Sequence, residues 1–135
     1  MPSWTPKLTN VKGTDGTTTS GRYSVSDGVA TFTAMIVARA ETFAASSAGF
    51  GLTLPVPAAT GLRTIVPVQL DGRGADHGVW TGDATVYSGS DGKTLDRIRT
   101  TGTTNGAALQ NITHLYGGAD DTGEVITVTG SYPVA

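Results

Sequence analysis

The sequence predicts an all-β protein, an antiparallel sandwich or barrel of about nine strands with little or no helix. Thr is the commonest residue and Gly follows with 19 copies, a composition that lowers helix propensity and favours strands and tight turns. No apolar stripe with a helical spacing of about 3.6 residues is sustained. Residue pairs that tight hairpin turns favour recur along the chain. They are Asp15-Gly16, Asp27-Gly28, Asp71-Gly72, Asp91-Gly92 and Asn105-Gly106.

Strands are predicted where β-branched and aromatic residues gather between these turn signals. The predicted strands are Trp4 to Val11, Gly21 to Val25, Val29 to Ala38, Phe50 to Leu54, Arg63 to Leu70, Val79 to Tyr87, Leu95 to Thr100, Ala108 to Leu115 and Val125 to Ser131. The second and third form a hairpin around Asp27-Gly28. Pro55 and Pro57 end the fourth, because proline cannot donate a hydrogen bond to a neighbouring strand.

Several later segments carry irregular signals. Pro67 lies inside TIVPVQL, which makes that segment an edge strand or a bulge. Gly82 in WTGDATVY indicates a bulge. The segment from Ala107 to Tyr116 is ambiguous, since its apolar side chains could also share one face of a helix. Ala38 to Ala48 is predicted as a long loop with at most one helical turn.

The strand that starts at Val29 changes character halfway along. Thr31 and Phe32 still alternate, but Ala34 to Ala38 form an unbroken apolar run. Such a run is typical of a strand that is covered on both faces. Either Met35 and Val37, or Ile36 and Ala38, should therefore lie at a subunit contact or under the segment from residue 40 to 49.

Composition and charge exclude several classes of function. The chain has 135 residues, a net charge of -2 and 15% charged residues, so neither a nucleic-acid footprint nor an anionic-membrane patch is expected. There is no Cys, which excludes disulfides and thiolate metal sites. The N-terminus MPSWTPKLTN lacks the pattern of a signal peptide, and no apolar run approaches the roughly 20 residues of a spanning helix. A surface with so little charge suits a protein that spends its life assembled.

The chain divides into an N-terminal segment, residues 1–20, and a β-sandwich domain, residues 21–135. The N-terminal segment is polar and rich in Thr and Gly, so one hypothesis is an arm that becomes ordered only on a partner. The alternative is a first strand that covers the edge of the sandwich, with Trp4 and Leu8 in the core.

The glycine-rich segments from Gly72 to Gly78 and from Gly117 to Gly123 are predicted as exposed loops, where ligand binding is common. The candidate ligand-binding residues are His77, Trp80, Asp120 and Asp121. Each has a plainer interpretation, namely a solvated loop, a core aromatic residue or a charged turn. The pattern contains no nucleophile elbow and no complete metal-ligand set. No catalytic residue, metal or cofactor is therefore predicted, and the protein is not expected to be an enzyme.

Three stretches carry a resemblance to a known family. They are WTPKLTN at the start, GRYSVSDGVATFTA after a Thr-rich linker, and FGLTLPVPA further on. Together they resemble small virion proteins of tailed bacteriophages. The resemblance implies a β-sandwich, often jelly-roll-like, that trimerises on the outside of the virion. It covers roughly the first 60 residues, and the remainder only as generic β-sequence. Its motifs are packing and turn motifs, which say little about a role.

The roles that the resemblance implies are a capsid decoration protein, a head fibre or a tail-associated receptor-binding module. The expected one is a homotrimeric capsid decoration protein, made in the host cytoplasm and carried on the outer surface of the head. Its partners would be further copies of the chain and the major capsid protein or other virion proteins. The residues expected at those contacts are Trp4, Leu8, Met35, Ile36 and Val37. The alternative is a tail or fibre module that binds a bacterial surface glycan. No nucleic-acid or membrane partner is expected.

Overall fold

The computed structural model describes residues 1–9, 18–38, 51–59, 61–72, 79–87, 92–100 and 124–135. All the regular structure in these residues is β, and the all-β prediction is confirmed. The strands are β1 (Ser3–Trp4), β2 (Leu8–Thr9), β3 (Thr18–Ser26), β4 (Val29–Ala38), β5 (Gly51–Thr53), β6 (Arg63–Gly72), β7 (Val79–Tyr87), β8 (Thr94–Thr100) and β9 (Glu124–Pro133).

The nine strands form one continuous sheet in the order β1-β3-β4-β9-β6-β7-β8-β5-β2. Every neighbouring pair is antiparallel. The two edge strands, β1 and β2, are consecutive in the chain and separated only by residues 5–7. The edges of the sheet therefore meet at the N-terminal segment, and the sheet is curled. A sandwich of two packed sheets with jelly-roll connections is not confirmed.

The N-terminal residues form two short strands where the sequence predicts one continuous strand from Trp4 to Val11. Pro6 is buried between them. Because proline has no N–H to donate, the chain cannot continue one regular ladder through this position. Ser3–Trp4 pairs with β3 and Leu8–Thr9 pairs with β5, so the segment changes partner on either side of Pro6.

Side chains alternate strictly along β4. Ala30, Phe32, Ala34 and Ile36 point inward and are fully buried, whereas the residues between them point outward. The inward residues of the other strands complete the core. They are Val66, Val68, Ala84, Val86, Leu95, Ile126, Val128 and Tyr132, with Leu52 and Ala58. The apolar run after Ala34 therefore does not interrupt the alternation, and Met35 remains on the outside.

One end of the sheet contains the turn at Asp27-Gly28, and we call it the hairpin end. Both residues have positive φ, 53° and 77°, as a type I′ turn requires. The segment Leu54–Ala59 (LPVPAA) crosses this end and pairs with the C-terminus. Its hydrogen bonds include Ala59 N–H to the Pro133 carbonyl (2.9 Å) and Ala135 N–H to the Pro57 carbonyl (3.1 Å). As predicted, the chain leaves the sheet at Pro55.

Pro67 marks the point where two strands separate. β6 lies between β9 and β7, so the prediction that this segment is an edge strand is wrong. The pairing of β6 with β9 extends only from Val68 to Gly72, so Pro67 is paired with Asp83 of β7 and has no partner on β9, where its missing N–H would be needed. Gly130 of β9 lies beside this fork, where an added Cβ would come within 2.5 Å of the Val66 side chain. The irregularity predicted at Gly82 lies further along β7, between Asp83 and Thr85.

Four connections leave from the end of the sheet opposite the turn. The register places Thr9, Ala38, Gly72 and Thr100 at this opposite end, where β2, β4, β6 and β8 finish. The connections that follow comprise residues 10–17, 39–50, 73–78 and 101–123, which lie outside the described residues. The strand predicted at Ala108 to Leu115 and the loop predicted at Ala38 to Ala48 fall in these ranges, apart from Ala38 itself.

Tyr132 gives the fold an expected response to alkaline pH. Its buried hydroxyl donates to the Val56 carbonyl (2.8 Å), and burial raises the pKa of the phenol above its ordinary value of 10.0. A phenol whose pKa is raised by folding binds its proton more tightly in the folded chain. Its contribution to stability is complete below about pH 10 and is lost as the pH rises further.

We therefore expect the free energy of unfolding to fall above about pH 10, and to fall less steeply in Tyr132→Phe. Urea denaturation between pH 8 and 11 measures the difference. Below about pH 10, Tyr132→Phe should lower the free energy of unfolding by about 1 kcal/mol, because only one hydrogen bond is lost. Parallel pH profiles for the two proteins would contradict the assignment.

Candidate interaction surface

The N-terminal segment, residues 1–9, joins the two edges of the curled sheet. On one side Tyr23 N–H donates to the Pro2 carbonyl (3.0 Å) and the Thr19 hydroxyl donates to the Pro6 carbonyl (2.6 Å). On the other side, Thr53 exchanges hydrogen bonds with Lys7. Thr53 N–H donates to the Lys7 carbonyl (3.0 Å), and Lys7 N–H donates to the Thr53 hydroxyl (2.9 Å). The segment thus holds β3 and β5 together.

Trp4 is the main apolar contact of this segment. Its indole packs edge-on against Tyr23 and Phe32, with ring centroids 5.9 and 6.1 Å apart, and its Nε1–H donates to the Thr53 carbonyl (3.3 Å). The ring lies directly over Gly21, where a Cβ would overlap it. Gly21 is therefore required by the neighbouring indole, although its φ is not in the left-handed region.

A shallow groove of about 360 Å³ lies on the outside of the sheet beside this segment. We call it the outer groove. It is lined by Ser3, Trp4, Thr5, Thr19, Ser20, Gly21, Arg22, Thr33 and Met35. Hydroxyl groups, one guanidinium and one thioether therefore surround it, a lining that can donate and accept hydrogen bonds and also cover apolar surface.

The outer groove opens onto a larger surface, the outward-pointing side chains of β3, β4 and β9, which we call the outer face. Pairing aligns these side chains in rows across the three strands. Two rows contain hydroxyl pairs, Thr31 with Ser131 (3.0 Å) and Thr33 with Thr129 (3.4 Å). Arg22 is the only charged residue among the described outward positions of these strands.

A second groove, of about 300 Å³, lies where β6 and β9 separate. Pro67, Gln69, Thr127 and Thr129 contribute to its lining. Its β9 residues also belong to the outer face. The outer face is therefore a nearly uncharged, hydroxyl-rich surface with a groove along each side.

Two of the predicted contact residues come together at the outer groove. Trp4 and Met35 both line it, and Met35 is 44% exposed. Val37 is half-buried and points outward from the same strand. Leu8 is half-buried and packs against the core, whereas Ile36 is fully buried inside the chain. Ile36 is therefore a core residue that the outer face does not expose, which corrects its place among the contact residues.

The predicted ligand-binding residues are not brought together by the described part of the chain. His77, Asp120 and Asp121 lie outside the described residues. Trp80 is in β7, where it is paired with Leu70, and its side chain is also outside the description. The prediction of a ligand site at these four positions therefore stays a prediction.

Sequence reasoning missed Arg22, Ser20 and Thr33 as lining residues. The available signal was the alternation of β4, because Thr33 lies two residues from Met35 and so shares its face. Arg22 and Ser20 could not be added in this way. They lie opposite Thr33 and Met35 across the hairpin, so the signal that could have added them was the register set by the two-residue turn at Asp27-Gly28.

In the described ranges, no three or more His, Asp or Glu side chains gather where they could hold a metal ion. The same ranges contain no helix with the length and hydropathy needed to cross a bilayer.

Comparison with known proteins gave no relatives: no protein-family model, no curated protein and no solved structure matches the chain.

Proposed function

We propose that this protein is a structural component of a tailed-bacteriophage virion, and specifically a homotrimeric decoration protein on the outer surface of the head. The observation that carries the proposal is the outer face with its groove. It is uncharged apart from Arg22, rich in hydroxyls, and has Met35 exposed beside Trp4. Depletion of charge with Met and aromatic residues present is typical of the centre of a protein interface.

The motifs of the resemblance support the same proposal. Trp4 of WTPKLTN packs over Gly21 and against Tyr23 of GRY. The LPVPA motif binds the C-terminal residues at the hairpin end. These stretches are far apart in the sequence but adjacent in the fold, so they act as one packing unit. A packing unit specifies a scaffold, which is what a repeated surface component of a shell requires.

The size of the outer face limits what it does alone. Three strands of nine or ten residues span about 30 Å by 14 Å, or about 400 Å². A stable interface of standard size uses about 800 Å² on each partner. The outer face is therefore large enough for one part of a trimer contact, and attachment to a shell needs additional surface elsewhere on the chain.

Binding to shells tests the proposal. The purified protein should bind phage heads that lack it and should raise the temperature at which those heads lose their DNA. Met35→Asp places a charge in the outer face, so we expect at least tenfold weaker association of the trimer or of trimer with shell. Ile65→Asp is the matched control, because Ile65 is also apolar and outward-pointing, is 59% exposed, and lies on β6 outside the outer face.

Three results would contradict the proposal. They are failure of the wild-type protein to bind such heads, equal loss of binding in Met35→Asp and Ile65→Asp, and no loss in either. Far-UV circular dichroism of both variants establishes that each remains folded. The number of copies in each virion is an independent readout, since hundreds of copies fit a head component and a dozen or fewer fit a tail component.

A second candidate is recognition of a bacterial surface glycan by a tail-associated trimer. The outer groove favours it in one respect, since Trp4, Arg22 and several hydroxyls together offer the apolar and hydrogen-bonding groups that sugars need. On this proposal the free protein should bind host cells and block phage adsorption, and Arg22→Ala should weaken both effects. Binding to heads without binding to cells would favour the decoration protein.

A further inference from the structure

The N-terminal segment is attached to its sheet almost entirely by contacts that any copy of the chain could supply. Its hydrogen bonds reach Thr19, Tyr23 and Thr53, and the separations of the side-chain bonds are 13, 46 and 49 residues. Its aromatic contacts also lie beyond β1, at Tyr23 and Phe32. Only the covalent connection through residues 10–17 specifies which chain provides the segment.

That connection sets how far the segment can reach. Eight residues extend to at most about 30 Å, which is comparable to the length of a ten-residue strand. Gly13 and Gly16 are among them, and glycine imposes little restriction on the direction of the backbone. The segment itself borders the outer groove. Exchange therefore requires a neighbouring copy on the outer face to place its β3 and β5 within about 30 Å of Thr18, where the connection ends.

The place left by the segment is specific for one occupant. Release exposes Trp4, Leu8 and the buried Pro6, and leaves β3 and β5 as unpaired edges. Unpaired edges and exposed apolar side chains are costly, so the open state persists only when an equivalent strand replaces the lost one. The vacated site contains Gly21, which leaves room for an indole, and the Thr53 carbonyl, which accepts a hydrogen bond from that indole. Both features match Trp4 of a second copy.

We propose that residues 1–9 are an exchangeable strand, and that in the oligomer each copy inserts this segment between β3 and β5 of a neighbouring copy. The proposal rests on the oligomer of the proposed function but not on its location in a virion. Exchange gives that oligomer a contact made of the same hydrogen bonds and the same indole packing that close the single chain, which supplements the limited area of the outer face.

Engineered cysteines can decide which chain supplies the segment. Ser3 pairs with Arg22, and both are exposed. Because Tyr23 N–H bonds to the Pro2 carbonyl, the neighbouring pair of Ser3 and Arg22 is a non-hydrogen-bonded one, with Cα atoms about 4.5 Å apart and within reach of a disulfide. The natural chain has no Cys, so the introduced thiols are the only ones present.

The test mixes full-length Ser3→Cys with full-length Arg22→Cys by co-expression, followed by mild oxidation and a non-reducing gel. Exchange predicts a disulfide-linked pair containing one chain of each kind, and predicts covalent oligomers for the double variant Ser3→Cys/Arg22→Cys. Ser3→Cys mixed with Ile65→Cys is the matched control and should give no such pair, since Ile65 is exposed but remote from β1.

A double variant that forms only an intrachain disulfide, with no linked pair in the mixture, would overturn the exchange. Size-exclusion chromatography of the same samples gives the oligomeric state, so an oligomer without exchange is distinguishable from a monomer. Shell binding, which tests the proposed function, is measured separately. Trp4→Ala provides a second readout. With exchange it should weaken the oligomer at least tenfold, whereas an oligomer unaffected by Trp4→Ala would count against the proposal.

Discussion

Trp4→Ala should lower the free energy of unfolding by about 2 to 4 kcal/mol, somewhat less than the cost of removing a fully buried Trp side chain, because Trp4 is only partly buried. The substitution removes two edge-on aromatic contacts and the hydrogen bond to the Thr53 carbonyl. It also detaches the segment that joins the two edges of the sheet. Urea denaturation at fixed protein concentration, followed by far-UV circular dichroism, measures the loss, because concentration affects the apparent stability of an oligomer.

Substitution of Gly21 gives a second test of the contact between the Trp4 indole and β3. In the natural chain, Gly21→Ala places a methyl group into the indole of Trp4 and should cost about 1 to 3 kcal/mol through overpacking. In the Trp4→Ala background the indole is absent. There Gly21→Ala should be neutral or should stabilise by about 0.5 to 1 kcal/mol, because alanine is less flexible than glycine in a strand.

The double-mutant cycle therefore predicts that the cost of Gly21→Ala disappears or reverses when the indole is absent, which a general loss of stability cannot produce. Gly28→Ala is a useful control, since Gly28 has a φ of 77° and no neighbour within 4 Å of an added Cβ. Its cost arises from backbone strain and should be the same with or without Trp4. Additive effects of Gly21→Ala and Trp4→Ala would show that the indole does not rest on Gly21.

Local sequence patterns predict most strands of this fold because they act over short distances. Val29 to Ala38 is a strand in both the prediction and the structure, since alternation and an Asp-Gly turn define it. The pairing of strands is different. The C-terminal strand β9 lies between β4 and β6, and nothing within a single sequence specifies which distant segments become neighbours.

Curling of the sheet is the feature that sequence reasoning could not supply. The hypotheses for the N-terminal residues were an arm or one first strand. The structure has two short strands on opposite edges, separated at Pro6, and the sequence signals only the proline. The outer groove was also predictable only in part. Met35 and Trp4 were singled out for their apolar character, but Arg22 lines the groove only because β1 and β4 flank β3.

Phe32 connects the N-terminal segment to the C-terminal strand. Its ring is fully buried and lies edge-on to both Trp4 and Tyr132, with centroid separations of 6.1 and 5.8 Å. Tyr132 in turn is bonded to Val56 of the LPVPA motif. A continuous row of aromatic rings therefore runs from the closure of the sheet to its hairpin end, and Phe32 is the member that joins Trp4 to Tyr132.

Phe32→Ala should lower the free energy of unfolding by about 3 to 5 kcal/mol, because it leaves a cavity in the core beside Trp4 and Tyr132. Phe32→Leu retains most of the apolar volume but loses both edge-on contacts, which are worth about 0.5 to 1.5 kcal/mol each. We therefore expect Leu to cost less than Ala but more than the 1.5 kcal/mol that bounds most volume-conserving apolar substitutions.

Hydrogen exchange distinguishes the loss of this row from a uniform loss of stability. In Phe32→Leu the Tyr23 amide, which donates to the Pro2 carbonyl, should exchange faster relative to wild type than the amides of β6 and β7 do. Val66→Ala is the control, because Val66 is equally buried but contributes no ring to the aromatic row. If both variants accelerated Tyr23 exchange by the same factor, the aromatic row would have no particular role in holding the N-terminal segment.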